Sequence, residues 1–272
     1  MRVTYVCFFR LTHFGFTYHL IFLVMDNRYF YDRRTHRAFS DREVTDKMLE
    51  DLLEAAAHAP TTGNMQLYSV IVTREAEARK ALAATHFSQL ASVNAPVLLT
   101  FCADFNRFTA WCRQSAAAPG YDNLQGFTTA MLDAVIFAQQ FNTVAEMNGL
   151  GCCYLGTTTY NAPDIARLLE LPQLVVPVVT LAVGYPAGEV EDCGRLPVKC
   201  LIHRERYHEA PPEEIVVIYA EKEARDDSRR FVEENGKENL AQVFTDVRYT
   251  RQMMESFSAV WRGFIESQGF KL

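Results

Sequence analysis

The sequence predicts helices packed around a central sheet of about four or five strands, in the α+β or the α/β class. The chain has 272 residues, 49% of them hydrophobic, and so is long and apolar enough to bury a large core. Segments with helical and with strand patterns alternate along it. No linker rich in Gly, Ser or Pro divides the sequence, so we expect one domain with a helical C-terminal extension.

The first half of the chain predicts two helices and two strands. One helix begins after Thr45, a good N-cap residue, and ends before Pro60. Residues 67–73 are rich in β-branched side chains and predict a strand, and residues 75–85 predict a short helix. The continuous apolar run at 95–103 predicts a strand that is covered on both faces.

The second half begins with a long apolar helix. Residues 126–148 are hydrophobic almost all round, so we expect this helix to be buried, with Gly149 as its C-terminal stop. A short strand within 149–156, a helix at 162–170 and a core strand at 175–186 are predicted next. Beyond them the chain becomes charged and predicts helices, the last with an apolar stripe.

The first 24 residues are apolar and aromatic, as in some targeting segments. Arg10, His13 and His19 interrupt them, so they make a poor membrane span. No small-residue cleavage site follows, so they also make a poor signal peptide. We interpret residues 1–24 as an extension of the gene model, with translation beginning at Met25. A membrane anchor is the alternative interpretation.

Charge and cysteine content argue against several classes of function. The formal net charge is −6 and no basic stripe dominates the chain, which argues against a nucleic-acid partner. The seven cysteines form no CxxC motif, which argues against a zinc site, and their scatter fits a reducing cytoplasm. The sequence contains neither GxSxG nor HExxH. If the protein is an enzyme, a cofactor is therefore expected to carry the chemistry.

The RRTHR stretch at 33–37 concentrates positive charge in an otherwise acidic chain. A guanidinium binds phosphate through two parallel hydrogen bonds, so the stretch is a candidate phosphate site. Arg33 and Arg37 are four residues apart and would share a face on one turn of helix. The alternative is a solvated basic patch whose charges pair with nearby acids, namely Asp32, Asp41 or Glu43.

Motifs along the chain resemble the FMN-dependent nitroreductase family, in the branch of oxygen-insensitive nitroreductases and NADPH-flavin oxidoreductases. They are RRTHRAFSD, APTTGNMQ, FCADFNR, GLGCCYLG before TTTYN, VGYP followed by GRLPVKCLIHRERY, and the C-terminal FTDVRYTRQMMESFSAVWRGFIESQGF. The resemblance spans about 28–272. It implies an α+β fold with a central mixed sheet flanked by helices, one FMN-binding domain over 25–272, and a homodimer with FMN at the subunit interface.

The resemblance also implies which residues bind FMN. The first motif would hold the phosphate and the ribityl chain through Arg33, Arg34, Thr35, His36 and Arg37. The turn after the first helix, with a glutamine further on, would reach the flavin through Thr61, Thr62, Gly63, Asn64, Gln66 and Gln89. The loop beside the isoalloxazine ring would consist of Tyr154, Leu155, Gly156 and Thr157. The late basic residue that returns to the phosphate would be Arg195.

Two departures from the family pattern concern charge. The branch usually has a lysine two residues before Arg195, where this chain has Cys193. Either Lys199 substitutes for it or the phosphate is held by one charge less. NADPH-selective members carry arginines in a stretch before the last helix, which here reads FVEENGKENLAQ and has only Lys237 as a basic residue. The choice between NADPH and NADH therefore stays open.

The function implied by the resemblance is an FMN-dependent NAD(P)H oxidoreductase that reduces nitroaromatics or quinones in two half-reactions. The flavin N5 would carry the chemistry, with no catalytic side chain and no metal. The alternatives are an NAD(P)H-flavin reductase and a non-catalytic FMN-binding redox sensor. The acceptors would be small molecules, with no nucleic acid and no stable membrane association. Phe105, Phe108 and Trp111 either line the open face of the flavin or pack ordinarily.

Overall fold

The fold is described from a computed structural model, for residues 7–13, 16–22, 27–190 and 192–272. The chain divides into two compact units, Met1–Arg34 and Thr35–Leu272.

The first unit contains a hairpin and one short helix. Strand β1 (Cys7–His13) pairs antiparallel with β2 (Phe16–Phe22), and helix α1 (Arg28–Asp32) follows. The interpretation of residues 1–24 as a gene-model extension stays a prediction, because the existence of a hairpin does not decide where translation begins.

The helical turn expected through the arginines is wrong. Helix α1 ends at Asp32, and Arg33 already has φ −57° and ψ 132°. The chain runs from there to Arg37 without helix, so Arg33 and Arg37 do not share a helical face. The guanidinium of Arg34 donates to the carbonyl oxygens of Tyr31, at 3.1 Å, and Arg33, at 3.0 Å.

The second unit contains one four-stranded sheet within its described residues. Its strands are β3 (Tyr68–Thr73), β4 (Val97–Asp104), β5 (Gly151–Leu155) and β6 (Val175–Gly184). Their order in the sheet is β3-β4-β6-β5, and each of these pairings is antiparallel. The α+β class is thus confirmed, with an antiparallel sheet where a mixed one was expected.

Helices surround this sheet and form the C-terminal extension. They are α2 (Asp46–Ala56), α3 (Ala76–Thr85), α4 (Leu90–Asn94), α5 (Asn106–Gln114), α6 (Leu124–Met147), α7 (Ala162–Leu168), α8 (Pro212–Ala224), α9 (Asp226–Glu234), α10 (Leu240–Val243) and α11 (Arg251–Ser267). The pair α3 and α4 returns the chain to the end of the sheet where β3 finished, so β4 runs antiparallel to it. No helix in the described part of the chain is long and apolar enough to cross a membrane.

Local signals in the sequence placed several of these elements correctly. Thr45 caps α2, since its hydroxyl accepts a hydrogen bond from the Met48 N–H at 3.2 Å. Gly149 follows the end of α6 with φ +84°, a conformation that glycine adopts at little cost. All eight residues of β4 are buried, as the continuous apolar run predicted.

Helix α6 is buried on one side only, where burial all round was expected. Ala134, Ala138 and Phe141 on its inner side are fully buried. Its outer side leaves Leu132 52% and Ile136 41% exposed. The sequence pattern was right about the apolar character of both sides, but this chain covers only one of them.

His86, just after α3, is a fully buried histidine. Its Nδ1 lies 2.9 Å from the Thr157 hydroxyl, and its Nε2 has no hydrogen-bond partner among the described residues. Burial lowers the pKa of His86 from 6.5 to about 4, because a charged ring would lose its hydration. The ring is therefore neutral at pH 7.

This histidine makes stability depend on pH. Between pH 6.5 and about 4 the unfolded chain binds a proton at His86 that the folded chain does not, so the free energy of unfolding falls as pH falls. Between pH 7 and pH 4 we expect wild type to lose about 3 kcal/mol more than His86→Gln. Urea unfolding across this range measures the difference. His58→Gln, at an exposed histidine, is the control and should follow wild type. Parallel curves for wild type and His86→Gln would contradict the prediction.

Candidate functional site

The part of the first arginine motif that lies in the second unit, Thr35 to Arg37, runs beside the edge strand β5. The His36 N–H donates to the Cys152 carbonyl oxygen at 3.3 Å. A Cβ atom added at Gly151 would lie 2.8 Å from the His36 Cβ, closer than such atoms approach in proteins. Gly151 therefore allows the segment that contains Thr35, His36 and Arg37 to lie directly against β5.

The Arg37 guanidinium is exposed and forms no ion pair with any residue that the structure describes. Glu43, one of the acids considered as its partner, instead approaches Arg74 at 4.0 Å. The solvated-patch alternative is thus not supported for Arg37 by an ion pair to Asp41 or Glu43. A guanidinium in this state is available to bind an anion. Arg33 and Arg34 are half-buried at the end of the first unit.

The predicted turn at 61–66 is present and is exposed to solvent at most positions. Gly63 has φ +56°, and Asn64 and Gln66 have φ of 56° and 54°. These left-handed conformations explain why glycine and asparagine stand in the turn. The Gln66 side-chain amide donates to the Asn64 side-chain oxygen at 3.1 Å. Thr61 begins the turn in an extended conformation.

Asp133 on α6 holds this turn in place. Its Oδ1 accepts hydrogen bonds from the Thr62 N–H at 2.9 Å and from the Thr62 hydroxyl at 3.1 Å. Asp133 is only 1% exposed, so water cannot replace these two hydrogen bonds and their loss would cost free energy. Together with burial, its charge raises the pKa of Tyr68. Sequence reasoning missed Asp133; an acidic residue inside a long apolar helix was the available signal.

The end of β5 and the turn that follows it combine buried anchors with one open position. Tyr154 and Leu155, which were expected in a loop, are the last two residues of β5, and the turn begins at Gly156. The Tyr154 hydroxyl donates to the Gln139 side-chain oxygen on α6 at 3.2 Å. Leu155 is 1% and Thr157 6% exposed. Gly156 between them is exposed, and a Cβ atom added there would meet no atom within 4 Å. The loop therefore borders open space at Gly156, as a loop beside a bound ring requires.

A series of buried threonine hydroxyls fixes the same loop from the sheet side. The Thr158 hydroxyl donates to the Leu155 carbonyl oxygen at 2.9 Å, and its oxygen lies 3.1 Å from the Thr180 hydroxyl, from which it can accept a hydrogen bond. Thr180 lies 3.3 Å from the Thr100 hydroxyl. The three threonines are almost fully buried, so each hydroxyl needs the partner it has. Sequence reasoning did not identify this series, because its members come from distant segments.

Gln89 is exposed at the N-cap of α4. Its N–H donates to the His86 carbonyl oxygen at 3.2 Å. Phe87 and Ser88 between them have φ of 56° and 50°, which non-glycine residues rarely adopt. His86 thus joins this turn to Thr157, and it is a second functional candidate that the sequence did not reveal.

Arg195 lines a cavity that contains none of the other predicted site residues. Its guanidinium donates to the Gly194 carbonyl oxygen at 2.6 Å, and it lines a cavity of 470 Å³ together with Lys222 and Arg225. No hydrogen bond among the described residues links Arg195 to the other predicted site residues. Lys199 is exposed and does not line this cavity.

Two further expectations concern the basic residue Lys237 and the aromatic residues that follow β4. Lys237 forms an ion pair with Asp246 at 3.0 Å. Phe105 is 1% exposed and packs in an aromatic cluster with Tyr121, whose ring is stacked at 5.2 Å, and with Phe108. This supports ordinary packing for Phe105 and Phe108.

The described contacts bring most predicted site segments of the second unit together. His36 reaches the start of β5, Thr157 after β5 reaches His86 and the Gln89 turn, and α6 holds both the Thr62 turn and Tyr154. The exposed groups they offer are a guanidinium, hydroxyls and amides, which are donors that suit a phosphate and a polar ring edge. The site thus fits a phosphorylated, planar cofactor.

The chain is similar to several known proteins over most of its length. The chain is 29% identical to the FMN reductase, NAD(P)H, of Bacillus subtilis over 257 residues, which cover 89% of this chain and 96% of the relative. It is 31% identical to the oxygen-insensitive NADPH nitroreductase of Salmonella typhimurium, over 64% of this chain and 71% of the relative. A solved oxidoreductase structure from Bacteroides fragilis is 47% identical and has a TM-score of 0.89, with 90% of this chain and 100% of that chain covered.

A model of the nitroreductase family matches residues 31–185. This range contains the first arginine motif, the turn held by Asp133, the His86 turn and the loop after β5. The chain belongs to the nitroreductase family.

Proposed function

We propose that the protein is an FMN-dependent NAD(P)H oxidoreductase that reduces small-molecule acceptors in two half-reactions. The observation that carries the proposal is the set of side-chain hydrogen bonds, Thr62–Asp133, Tyr154–Gln139 and His86–Thr157, that connects three expected flavin segments within the second unit. The relatives named as an FMN reductase and as an NADPH nitroreductase support the same activity.

The phosphate of FMN would be held near the start of the family match. We assign it to Arg33, Arg34, Thr35 and Arg37, with His36 contributing its backbone. Arg37 supports this assignment best, since its exposed guanidinium forms no ion pair within the described residues. Arg195 is assigned to the phosphate from the resemblance alone, because the structure does not connect it to the other segments.

The ring of FMN would lie beside the loop after β5. When bound, FMN supplies hydride acceptance and donation at its N5 atom. The open position at Gly156 leaves room for a flat group beside the loop. Tyr154 and Thr157 are held through their side chains, and Leu155 is paired with Thr180 on β6, so the backbone around Gly156 would keep a constant direction. Fixed donors stabilise negative charge on a neighbouring ring without having to reorganise.

The protein's own contribution is thus positioning and electrostatics. We assign Thr61, Thr62, Gly63, Asn64, Gln66 and Gln89 to the flavin edge. The electron donor would be NADPH or NADH. Lys237, a basic residue in the stretch that matters for NADPH in related proteins, is already paired with Asp246, which does not favour either donor.

The acceptors we propose are nitroaromatics and quinones. The second candidate function is reduction of free flavin, which is favoured by the relative that is named as an FMN reductase and matches over 89% of this chain. A non-catalytic redox sensor would bind FMN and be reduced slowly by either nicotinamide.

We also propose that the protein is a cytoplasmic homodimer. The outer side of α6 exposes Leu132, Val135 and Ile136, and α8 leaves Val216 and Val217 at least 70% exposed. Apolar surface of this extent is unfavourable in water and favours contact with a second copy of the chain. The cytoplasmic location rests on the scattered cysteines.

The first prediction from this function concerns the flavin itself. The protein reconstituted with FMN should be yellow, should bleach when NADPH or NADH is added without oxygen, and should recover its colour when a nitroaromatic or a quinone is added. Comparing turnover with free FMN as acceptor separates the flavin-reductase alternative. Bound FMN that neither nicotinamide bleaches would favour the redox sensor. A protein that stays colourless after reconstitution would sink the proposal.

The second prediction concerns the phosphate contact. Arg37→Ala should weaken FMN binding about 10- to 150-fold, because a hydrogen bond to a charged group contributes about 1.5–3 kcal/mol. Quenching of flavin fluorescence measures the dissociation constant. Arg251→Ala removes a guanidinium that is 90% exposed on α11 and should leave the constant unchanged. Equal constants for the two variants would remove Arg37 from the site.

The third prediction concerns the turn at 61–66. Asp133→Ala removes the acceptor of both Thr62 hydrogen bonds and should lower the free energy of unfolding by about 2–3 kcal/mol. It should also weaken FMN binding, because the turn loses its anchor. Asp133→Asn keeps an acceptor oxygen and should lie closer to wild type in both measurements. Urea unfolding and FMN titration of the three proteins provide the test, and a loss of stability with full FMN affinity would contradict the assigned role.

A further inference from the structure

We propose that His86 is a positioning residue that holds two flavin-contacting segments, the turn at 86–89 and the loop at 154–157, in a fixed relation to each other. The inference rests on the proposed function, since it concerns the same cofactor. It adds a residue whose side chain need not touch the cofactor.

The first argument is the contact itself. His86 Nδ1 and Thr157 Oγ1 are 2.9 Å apart, and the two side chains are 0% and 6% exposed. A hydrogen bond shielded from water is not exchanged for bonds to solvent, so breaking it leaves buried polar atoms unsatisfied. Thr157 follows the open position at Gly156 directly, and Gln89 lies three residues after His86. The bond therefore connects the two segments close to their exposed residues.

The second argument is the strained backbone next to His86. Phe87 and Ser88 both have positive φ, at 56° and 50°. For non-glycine residues such conformations cost of order 1–3 kcal/mol each and persist only when the surroundings enforce them. The backbone bonds Phe87 N to Ala84 O, at 3.1 Å, and Ser88 N to Ala83 O, at 2.9 Å, close this turn. The hydrogen bond between the His86 ring and the Thr157 hydroxyl holds His86, where this turn begins, in place.

The third argument is that further contacts join the same two parts of the chain. The Asn161 side-chain amide donates to the Thr85 carbonyl oxygen at 2.5 Å. The Phe257 ring stacks on Tyr160 at 4.2 Å and lies 6.4 Å from the Phe87 ring. The end of α3 and the segment after β5 therefore behave as one body, and His86 is the buried polar link within it.

The chemistry of His86 favours positioning over proton transfer. A ring that burial keeps neutral at pH 7 is not an imidazolium, so it lacks the readily released proton of a general acid. The ring is also fully buried, so it is not open to a substrate. Its remaining role is to fix the direction of Thr157 and of the Gln89 turn.

The test compares four variants and one control with wild type. His86→Leu keeps an apolar side chain of similar size but removes the bond, and should weaken FMN binding about 5- to 15-fold. Thr157→Val should have the same effect, and the double variant should be no weaker than either single one, because all three lack the same bond. His86→Asn places an amide near the position of Nδ1 and should restore binding to within about threefold of wild type.

Val243→Ala is the control. It removes two buried methyl groups on α10, outside the segments assigned to the flavin, so it should cost stability while leaving FMN affinity unchanged. The midpoint potential of bound FMN gives a second readout. It should become more negative in His86→Leu and Thr157→Val and stay unchanged in Val243→Ala, because only the first two loosen the loop beside the ring. FMN affinity as high in His86→Leu and Thr157→Val as in Val243→Ala would overturn the inference.

Hydrogen exchange of the protein without FMN keeps the inference separate from the proposed function. Thr157→Val should increase exchange at 86–89, and His86→Leu should increase it at 155–158. If wild type binds FMN but each variant affects only its own segment, the inference fails and the function stands. If wild type does not bind FMN, the function fails, and the exchange data still decide whether His86 couples the two segments.

Discussion

The close packing of α6 against the sheet is the constraint on which the candidate site depends. Ala130, Ala134 and Ala138 are fully buried on its inner side, and their small side chains let the helix lie near the strands. Asp133 and Gln139 project from the same helix, six residues or about 9 Å apart along its axis. Because α6 is fixed, the Thr62 turn and Tyr154 that these two side chains hold are fixed as well.

The site then combines a rigid support with exposed donors. Buried hydrogen bonds from His86 and the threonine series, and part-buried ones from Asp133, hold the segments from the protein side. Arg37 and Gly156 remain at the surface, the first offering charge and the second offering space. This division suits a cofactor that brings its own chemistry, since the protein has to provide a constant geometry and a local positive charge within an acidic chain.

The helices and strands of the fold could be predicted well from the sequence, but the residues that contact each other across the fold could be predicted less well. Caps, apolar runs and glycine stops are local signals, so Thr45, the buried strand β4 and Gly149 were placed correctly. The bonds Thr62–Asp133 and His86–Thr157 each join residues 71 positions apart, and no local pattern indicates such a pair. Strand direction has the same limitation, since the apolar run of β4 fits either a mixed or an antiparallel sheet.

Two other expectations failed because the same residue pattern is compatible with more than one structure. The spacing of Arg33 and Arg37 fits a helical turn, but the structure has no helix there. A separation of four residues occurs in helical and in non-helical segments alike. The all-round apolar character of α6 suggested burial within one chain. A helix face that packs against another protein chain has the same apolar composition. Sequence alone therefore does not distinguish burial within one chain from burial at an interface.

The most direct test of the account is a crystal structure of the protein grown with FMN. The account predicts the phosphate within hydrogen-bonding distance of the Arg37 guanidinium and the isoalloxazine ring beside Gly156, with the Thr62–Asp133 and His86–Thr157 bonds intact beneath it. An FMN molecule bound elsewhere, with Arg37 directed into bulk water, would contradict it.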